Sequence, residues 1–310
     1  MTTPRISVII ATHNRADLTG LALDSLANQT LAAEDYEVIV VDNASSDHTA
    51  ELVRQRMLVM SQLRYLAETR LGLSWARNAG LEAARAPYVA YLDDDAQAEP
   101  AWLESILAAF EETAPLCVGG PVFLNWAGLP QRVPKRYWSL LSYVNYGDRN
   151  RALAPQEYLV GANMAFDRRA LQSLGGFSPD LGRQGTKLLS GEEAHVIAQI
   201  RERGGEIRYA AKAGVAHLVH PDRVRPAWLW RRIFWDGASQ PVLDGASRQS
   251  RWYCARQAYR DLKRIAFFVL KSAAAFFRRD QERSIDFALN ATQRAGRLRT
   301  HLLLLLGSTS

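Results

Sequence analysis

Three adjacent carboxylates, Asp93, Asp94 and Asp95, follow directly on the apolar segment Tyr88–Leu92. The segment is typical of a buried strand, and open α/β sheets bind their ligands where such strands end. Adjacent acids repel one another unless a positive charge lies among them, and a hard divalent cation bridging to phosphate oxygens would supply that charge. An isolated Asp-Asp-Asp also occurs in solvated surface turns. The choice between a ligand site and a surface turn therefore depends on the neighbouring segments.

Two other strand-like segments end in polar side chains. Ile6–Ala11 leads into Thr12-His13-Asn14-Arg15, and Tyr36–Val41 leads into Asp42. In doubly wound folds an acid at the end of the second strand often recognises a nucleoside. The three strand ends together predict a site for a nucleoside diphosphate and a metal. The sequence has no GxGxxG after the first strand and no GxxxxGK[ST], which counts against dinucleotide and P-loop sites.

The elements that must position these residues alternate over the first 125 residues. The predicted strands are Ile6–Ala11, Tyr36–Val41, Arg64–Ala67 and Tyr88–Leu92, and the predicted helices include Leu18–Leu26, Leu73–Ala84 and Pro100–Glu112. This alternation predicts an α/β fold with a mostly parallel sheet covered by helices on both faces.

The second half of the chain is less regular. Residues 125–157 are rich in Trp, Tyr and Pro and show no period, which is typical of either a long functional loop or a mobile segment. Beyond them we predict strands at Tyr158–Phe166 and Arg208–Ala211, helices at Arg168–Leu174 and Glu192–Arg203, and a helical region from Trp228 onward. We expect a catalytic domain over residues 1–245 and a basic, amphipathic helical extension over 246–310.

Composition indicates an ordinary globular protein of a reducing compartment. The 310 residues are 48% hydrophobic and 23% charged, and Cys117 and Cys254 fit neither a disulfide framework nor a zinc site. Ile6–Ala11 is too short for the core of a signal peptide, and no run reaches the roughly 20 apolar residues of a membrane span. We expect a cytoplasmic location.

The net charge of +6 is distributed unevenly along the chain. Residues 246–310 hold 13 Lys and Arg against four acids, a net charge of +9, whereas the other 245 residues carry −3. Basic ends and bulky apolar residues over 262–279 suit a helix that lies on an anionic membrane surface, on the inner face of the cytoplasmic membrane. The alternative is a helical hairpin that packs on the catalytic domain or on a dimer partner. We expect no nucleic-acid partner, because the basic character is confined to this tail.

Eight segments of the chain resemble, in order, the motifs of the inverting family 2 glycosyltransferases, which have the GT-A fold. They are VIIATHNR (8–15), VVDNASSDHT (40–49), GLSWARNAG (72–80), YLDDDA (91–96), GANMAF (161–166), GGF (175–177), GEE (191–193) and Val-x-His (215–217). The resemblance is to members of the bacterial polysaccharide-biosynthesis type. It implies a nucleotide-sugar donor, with UDP expected and GDP or dTDP as alternatives, a Mg²⁺ or Mn²⁺ cofactor, and a saccharide or lipid-linked saccharide acceptor.

The resemblance also implies roles for individual residues. The donor would contact Thr12, Asn14, Arg15, Asp42, Arg77, Asn78, Asp93 and Asp94. The metal would be held by Asp95, Asp93 and His217, with His220 as a competitor for the histidine position. The acceptor would contact Gly176, Phe177 and Trp235. Arg223 follows at a distance that suits the donor diphosphate.

The GEE motif departs from the commoner Gly-Glu-Asp of the family. By position Glu193 would be the general base that takes the proton of the acceptor hydroxyl, with Glu192 as the fallback. Two acids at a helix start can also simply complement the helix dipole. The alternative functions are a sugar nucleotidyltransferase, which typically carries a Gly-rich basic loop after its first strand, and a non-catalytic nucleotide-sugar binding protein, in which the acids would be lost. Neither feature is found in this sequence.

Overall fold

The computed structural model of the protein describes residues 3–131, 133–182, 190–245 and 249–307. The chain divides into a first unit, Met1–Asp180 with Glu192–His220, and a second unit, Leu181–Gly191 with Pro221–Ser310. The strands of the first unit are β1 Ile6–Thr12, β2 Tyr36–Asp42, β3 Leu63–Ala67, β4 Tyr88–Leu92, β5 Ala96–Ala98, β6 Cys117–Gly119, β7 Val122–Asn125, β8 Arg151–Ala152, β9 Asn163–Asp167, β10 Ile207–Tyr209 and β11 Val215–Leu218. Its helices are α1 Ala16–Ala27, α2 Thr49–Met57, α3 Leu73–Ala83, α4 Trp102–Thr113, α5 Arg168–Ser173 and α6 Glu192–Glu202.

The main sheet has eight strands in the order β3-β2-β1-β4-β9-β6-β10-β8. Strands β1 to β4 pair in parallel, and β9 is antiparallel to both of its neighbours. In this register Thr12 lies opposite Asp42, and Ile9 lies opposite Tyr91. The loops that leave β1, β2 and β4 therefore share one edge of the sheet, as the sequence predicts.

Helices cover both faces of this sheet. Val8 and Ile10 point to one face and pack in a buried cluster with Leu23 of α1 and Trp102 of α4. Ile9 points to the other face and belongs to a second cluster that includes residues of α3 and α6. This alternation of side chains along a buried strand is what allows one sheet to hold two cores. The predicted GT-A-type α/β architecture is confirmed in these elements.

The strand predicted over Tyr158–Phe166 is shorter than expected. It begins only at Asn163, because the chain turns just before it and the Asn163 amide donates to the Val160 carbonyl (3.0 Å). The buried Asn163 side chain accepts a bond from Trp102 Nε1 (2.9 Å) and donates to the Ala213 carbonyl (2.8 Å) and the Pro121 carbonyl. These bonds fix the chain before β9 in a non-strand path.

A small second sheet, in the order β5-β11-β7, was not predicted. Its central strand pairs His217 with Ala96 on one side and with Leu124 on the other. Ala96 follows Asp95 directly, so this sheet brings a histidine from late in the chain next to the acids at the end of β4.

The second unit contains three long helices: α7 Pro226–Leu243, α8 Arg251–Phe277 and α9 Gln281–Leu306. Helix α9 packs against both of the others. Where α7 and α9 cross, a side chain on Gly237 would overlap the Gln293 carbonyl, and one on Gly296 would overlap the Phe234 carbonyl. Both glycines therefore serve close helix packing. Residues 221–245 group with the C-terminal helices by their contacts, while a functional boundary at residue 245 stays a prediction.

A buried charge cluster joins α8 to α9. Asp261, 3% exposed, accepts bonds from His301 Nδ1 (3.0 Å) and Arg294 Nη1 (3.3 Å). Burial alone would raise the pKa of Asp261, but these partners and Arg297 outweigh it and lower that pKa. Helices α8 and α9 thus form an antiparallel hairpin, and what the outer surface of this hairpin packs on stays a prediction. None of the described helices combines the length and the apolar character of a membrane span.

Candidate active site

The acids at the end of β4 are held by residues from the loop after β1. Thr12 donates its hydroxyl to Asp94 Oδ2 (2.9 Å). One guanidinium nitrogen of Arg15 donates to Asp94 Oδ1 (2.9 Å) and to Asp95 Oδ2 (3.0 Å). The structure therefore brings together four of the residues predicted from the strand ends, with Thr12, Asp94 and Asp95 buried.

Asp93, Asp95 and His217 form a group that could hold a metal ion. Each offers one ligand atom, and these atoms lie within 4.8 Å of one another. His217 Nε2 is 3.1 Å from Asp95 Oδ1, and both side chains are buried. Two carboxylates and one imidazole suit Mn²⁺ and related divalent cations. The described residues thus fit the predicted metal, and they place His217 rather than the exposed His220 in the ligand group.

The charges in this group favour an added cation. Burial is the largest cause that raises the pKa of Asp94, and the charges of Asp95 and Asp93 act in the same direction. Arg15 and the Thr12 hydroxyl lower this pKa, and the net result is a pKa of about 6. The negative charge of Asp94 raises the pKa of Arg15, and this effect is larger than the opposite effect of burial. The Arg15 guanidinium thus faces two carboxylates, Asp94 and Asp95, with Asp93 beside them, and a divalent ion among the three acids would relieve the remaining repulsion.

A second cluster is built around the Arg77 guanidinium, which is almost fully buried. It donates to Glu192 Oε1 (3.0 Å), Glu193 Oε1 (3.3 Å) and Asp93 Oδ1 (3.3 Å). Burial alone would lower the pKa of Arg77, but the carboxylates of Glu193, Glu192 and Asp93 outweigh it and raise that pKa. Arg77 therefore links a metal-ligand candidate to both base candidates.

The two glutamates differ in exposure. Both stand in the first turn of α6, but the Glu192 side chain is 3% exposed and the Glu193 side chain is 19% exposed. A general base must reach the substrate proton within hydrogen-bond distance. Accessibility therefore favours Glu193 as the base and Glu192 as a buried counter-charge to Arg77.

Gly161 lies against this cluster. A Cβ at position 161 would overlap Arg77 Nη2 and Glu193 Oε1. Any side chain at position 161 would therefore force the Arg77–Glu193 ion pair to shift. The non-strand path before β9 is thus used to enclose Arg77 and Glu193.

The predicted nucleotide residues organise the loops at the end of β1 and β2. Asn14 has a left-handed backbone (φ 53°) and its Oδ1 accepts bonds from the Ser46 and Asp47 amides (2.6 and 3.2 Å). Asp42 accepts bonds from the Ser45 amide (2.9 Å) and the Tyr65 hydroxyl (2.8 Å). Asn14 is exposed and Asp42 is buried. Their contacts with a nucleotide stay a prediction.

Asn78, Gly176 and Phe177 form a structural unit beneath Arg77. The Asn78 amide group bonds both the Phe177 carbonyl and the Phe177 amide, each at 2.8 Å. The Phe177 ring is fully buried against Tyr91, with Arg77 5.3 Å from its centroid. Asn78 therefore holds the Gly-Gly-Phe turn, and the Phe177 ring supports Arg77. A ring so buried offers no face to a sugar, so any acceptor contact at this turn would come from its backbone.

Trp235 and Arg223 lie in the second unit. The Trp235 ring packs against Phe234 (5.9 Å) and under the Arg299 guanidinium (5.3 Å). Arg223 is buried in a short 3₁₀ turn. The acceptor role of Trp235 and the diphosphate role of Arg223 stay predictions.

The sequence profile of Glycosyl transferase family 2 matches residues 7–175, more than half of the chain. The chain belongs to this family. The glycosyltransferase is 28% identical over 245 residues to the glucosyl-dolichyl phosphate glucuronosyltransferase of Haloferax volcanii, with 77% of each chain covered. It is 41% identical over 114 residues to the validoxylamine A glucosyltransferase of Streptomyces hygroscopicus subsp. jinggangensis, over 36% of this chain and 27% of that one.

Solved structures establish the GT-A fold of the glycosyltransferase. A mannosyltransferase from Pyrobaculum calidifontis, in complex with GDP-Man and Mn²⁺, superposes with a TM-score of 0.61 and 22% identity, over 96% of this chain and 88% of that one. GalNAc-T7 with UDP, GalNAc and Mn²⁺ superposes with a TM-score of 0.55 and 17% identity, over 76% and 48%.

Sequence reasoning missed two residues that shape this site. Gly161 was noted only as the first residue of the GANMAF motif, and a glycine inside the predicted strand Tyr158–Phe166 was the available signal of a close backbone approach. Asn43 has no role of its own in the VVDNASSDHT motif above, yet its amide group bonds the Glu68 carbonyl (3.1 Å), the Arg70 carbonyl (2.8 Å) and the Gly72 amide (2.7 Å). It therefore sets the loop from which α3 and Arg77 begin.

The contact at Gly161 yields a testable prediction. Gly161→Ala should lower the sugar-transfer rate by about 10²-fold or more, because Arg77 and Glu193 must both move, and a shift of about 1 Å at a reacting group costs that much. Initial rates with a saturating donor measure it. Gly20→Ala is the matched control, since its added Cβ meets only ordinary contacts with Leu52. An unchanged rate for Gly161→Ala would show that the cluster does not need this approach.

Proposed function

We propose that the protein is a metal-dependent inverting glycosyltransferase that moves a hexosyl or N-acetylhexosaminyl group from a UDP-sugar to a hydroxyl of a lipid-linked saccharide, in polysaccharide biosynthesis. The observation that carries this proposal is the Arg77 guanidinium, which ties the metal-ligand candidate Asp93 to the acid pair Glu192 and Glu193. The proposed site of leaving-group departure and the proposed base would therefore lie side by side.

Asp95, Asp93 and His217 would hold the cation, Mg²⁺ or Mn²⁺. When bound, the cation offsets the negative charge that develops on the diphosphate leaving group. Support comes from the fit of the three ligand atoms and from the two GT-A structures, which both contain Mn²⁺. Arg15, which pairs with Asp94 and Asp95, would lie beside the donor phosphates and add positive charge there.

Thr12, Asn14, Asp42 and Asp94 would complete the donor site. Asn14 would line the nucleotide pocket from its exposed loop, and Asp42 would recognise the base at the end of β2. Thr12 and Asp94 would act indirectly, because they hold the Asp93–Asp95 turn in place. Asn78 would act through the Gly176-Phe177 turn, and Arg77 through the two acid groups that it joins.

Glu193 would be the general base. It would take the proton of the acceptor hydroxyl while that oxygen forms a bond to the anomeric carbon of the donor sugar. The bond from that carbon to the diphosphate oxygen breaks on the opposite face, and its electron pair leaves with the nucleoside diphosphate. The configuration at the anomeric carbon is therefore inverted. Arg77 would keep the Glu193 carboxylate oriented, and Gly176 and Trp235 remain the proposed acceptor contacts.

Two observations favour this function over the alternatives. The loop after β1 carries no Gly-rich basic segment of the kind expected of a sugar nucleotidyltransferase. The acids that a non-catalytic homologue would lose are present and held in place. A lipid-linked acceptor is supported by the Haloferax volcanii relative, whose name specifies a glucosyl-dolichyl phosphate.

The outer face of α8 supports attachment to an anionic membrane surface. Trp252, Tyr259, Leu270 and Phe277 are exposed along this helix, the first and the last by 71% and 83%. The basic residues of α8 that are exposed beside them are Arg251, Arg256, Arg260, Lys263, Arg264 and Lys271. Its single acid, Asp261, is buried against α9. An interfacial helix needs this combination of apolar area and uncompensated cations. A cytoplasmic enzyme peripheral on the inner face of the cytoplasmic membrane would meet its acceptor there.

The roles of the acids can be separated by substitution. Glu193→Gln should retain Mn²⁺-dependent donor binding and lower transfer by roughly 10²–10⁴-fold, because an amide cannot accept the proton. Asp95→Asn should weaken Mn²⁺ binding itself. Calorimetry with Mn²⁺ and then with the UDP-sugar measures binding, and product formation measures transfer. The matched control is Glu192→Gln; if it alone abolished transfer, Glu192 would be the base.

The stereochemistry of the product tests the inverting mechanism. An α-linked UDP-sugar should yield a β-linked product, because displacement occurs in one step from the opposite face. The coupling constant of the product anomeric proton in the NMR spectrum reports the configuration. An α-linked product would contradict the role of Glu193 as a base in direct displacement.

Membrane attachment predicts binding to anionic vesicles at low salt. Lys263→Glu with Lys271→Glu should lower the partition coefficient roughly 30-fold, since each basic residue near the surface contributes about 1 kcal/mol. Co-sedimentation with phosphatidylglycerol vesicles measures it on the full chain, because truncation after Gly245 would strip α9 from α7. Arg85→Glu with Lys212→Glu, two exposed basic residues of the first unit, is the matched control. Equal binding by both double variants would discard the α8 surface.

A further inference from the structure

An aromatic cluster lies one strand away from the proposed metal ligand His217. Strand β7 pairs in parallel with β11, so that Leu124 lies opposite His217 and Asn125 opposite Leu218. Trp126 is the next residue along the chain. On the other side of β11 the Leu218 amide donates to the Asp95 carbonyl (2.8 Å). Because neighbouring strands lie about 4.8 Å apart, the cluster starts roughly 10 Å from the backbone of Asp95.

Three rings form this cluster, which we call the aromatic platform: Trp126, Trp138 and Tyr143. The Trp138 ring centroid is 5.8 Å from that of Trp126 and 5.4 Å from that of Tyr143. The Trp138 indole donates to the Val133 carbonyl (2.9 Å), which fixes its edge. All three rings are only partly buried. Such rings present an apolar face next to solvent, as saccharide stacking requires.

The chain that carries the platform is anchored at both ends. Val122 and Val144 exchange a pair of backbone hydrogen bonds of 2.8 and 3.1 Å, which close the segment between them. Within it the Tyr143 amide donates to the Trp138 carbonyl (3.1 Å). The platform is therefore held against β7 and, through β7, against the strand of His217. Rings fixed in advance lose little conformational entropy when a ligand binds.

The platform has a basic rim. Residues 121–147 contain three basic residues and no acid. Lys135 Nζ is 5.7 Å from the centroid of the Trp138 ring, and Arg136 lies over the Tyr137 ring at 5.1 Å. Both side chains belong to exposed residues. A ligand that stacks on Trp138 would thus have the cations of Lys135 and Arg136 beside it. An anionic group on that ligand would meet no repelling carboxylate from residues 121–147, because this segment contains no acid.

We propose that the aromatic platform is the acceptor-binding surface and that it recognises a saccharide bearing a phosphate. The sugar ring stacks on Trp138 and Trp126, while the phosphate lies by Lys135 and Arg136. This inference rests on the proposed function and specifies its acceptor as an anionic glycosyl phosphate. The phosphate can belong to a lipid-linked sugar or to a free sugar phosphate, since both present the same group to the rim.

Binding of three matched probes to the full chain, with Mn²⁺ and UDP present, tests the platform. The probes are octyl glucoside, glucose 1-phosphate and glucosyl decyl phosphate, and the two alkyl compounds are kept below their critical micelle concentrations. Saturation-transfer NMR gives the dissociation constants. Both phosphorylated probes should bind at least 10-fold more tightly than octyl glucoside. Tighter binding of the decyl compound than of glucose 1-phosphate would identify the lipid-linked source, and equal binding would identify the sugar phosphate alone.

Substitutions separate stacking from charge. Trp138→Ala should weaken all probes at least 10-fold, and Trp138→Phe should restore most of the binding. Lys135→Glu with Arg136→Glu should abolish the preference for phosphate, whereas Lys212→Glu, an exposed basic residue before β11, should leave it unchanged. The proposal would be overturned if the variant with Lys135→Glu and Arg136→Glu kept the preference for phosphorylated probes. It would also be overturned if no probe bound to the unsubstituted protein at millimolar concentration.

Hydrolysis of the UDP-sugar distinguishes this inference from the proposed function. Hydrolysis by water needs the donor site but not the platform, so all platform variants should retain it. If the unsubstituted protein hydrolyses no nucleotide sugar, the proposed function fails. If hydrolysis is intact while neutral and phosphorylated probes bind equally, only the platform assignment fails.

Discussion

The buried Arg77 guanidinium is the interaction on which the site depends. Three carboxylates from two distant parts of the chain, Asp93 on one side and Glu192 and Glu193 on the other, meet on it. Removing one partner of a buried ion pair generally costs about 3–5 kcal/mol, because the remaining charge stays desolvated. The side chains beneath it, above all Tyr91 and Phe177, are apolar and fully packed. The geometry of the acids is therefore set by the core of the first unit.

The charges of the site are divided between two guanidinium groups. Arg15 serves Asp94 and Asp95, and Arg77 serves Asp93 and the two glutamates. Since these two guanidinium groups face five carboxylates, the carboxyl end of β4 retains an attraction for further positive charge. That attraction, rather than the acids alone, is what makes the group suited to a divalent ion. The base candidates Glu192 and Glu193 do not contact the other metal-ligand candidates directly in the bonds described above. The Arg77 side chain joins them to Asp93.

The second unit follows a different principle, since its helices hold together through glycine contacts and a buried charge cluster. Gly237 and Gly296 let α7 and α9 approach closely, and Asp261 binds α8 to α9. By burying its single acid, α8 leaves its outer face with cations and large apolar side chains only. The same interaction that stabilises the hairpin thus also shapes the surface proposed for the membrane.

The sequence alone determined strands β1 to β4, the helices between them and the edge of the sheet that carries the chemistry, but not the second sheet. Apolar runs ending in Thr12, Asp42 and Asp93–Asp95 predicted parallel strands with a common polar end, because local side-chain pattern decides which segments are buried. Only the tertiary structure decided the partners. The adjacency of His217 to Asp95, the burial of Glu192 against the exposure of Glu193, and the passage of Gly161 beside Arg77 all join residues far apart in the chain. Such contacts depend on strand order and on close packing, which no local pattern encodes.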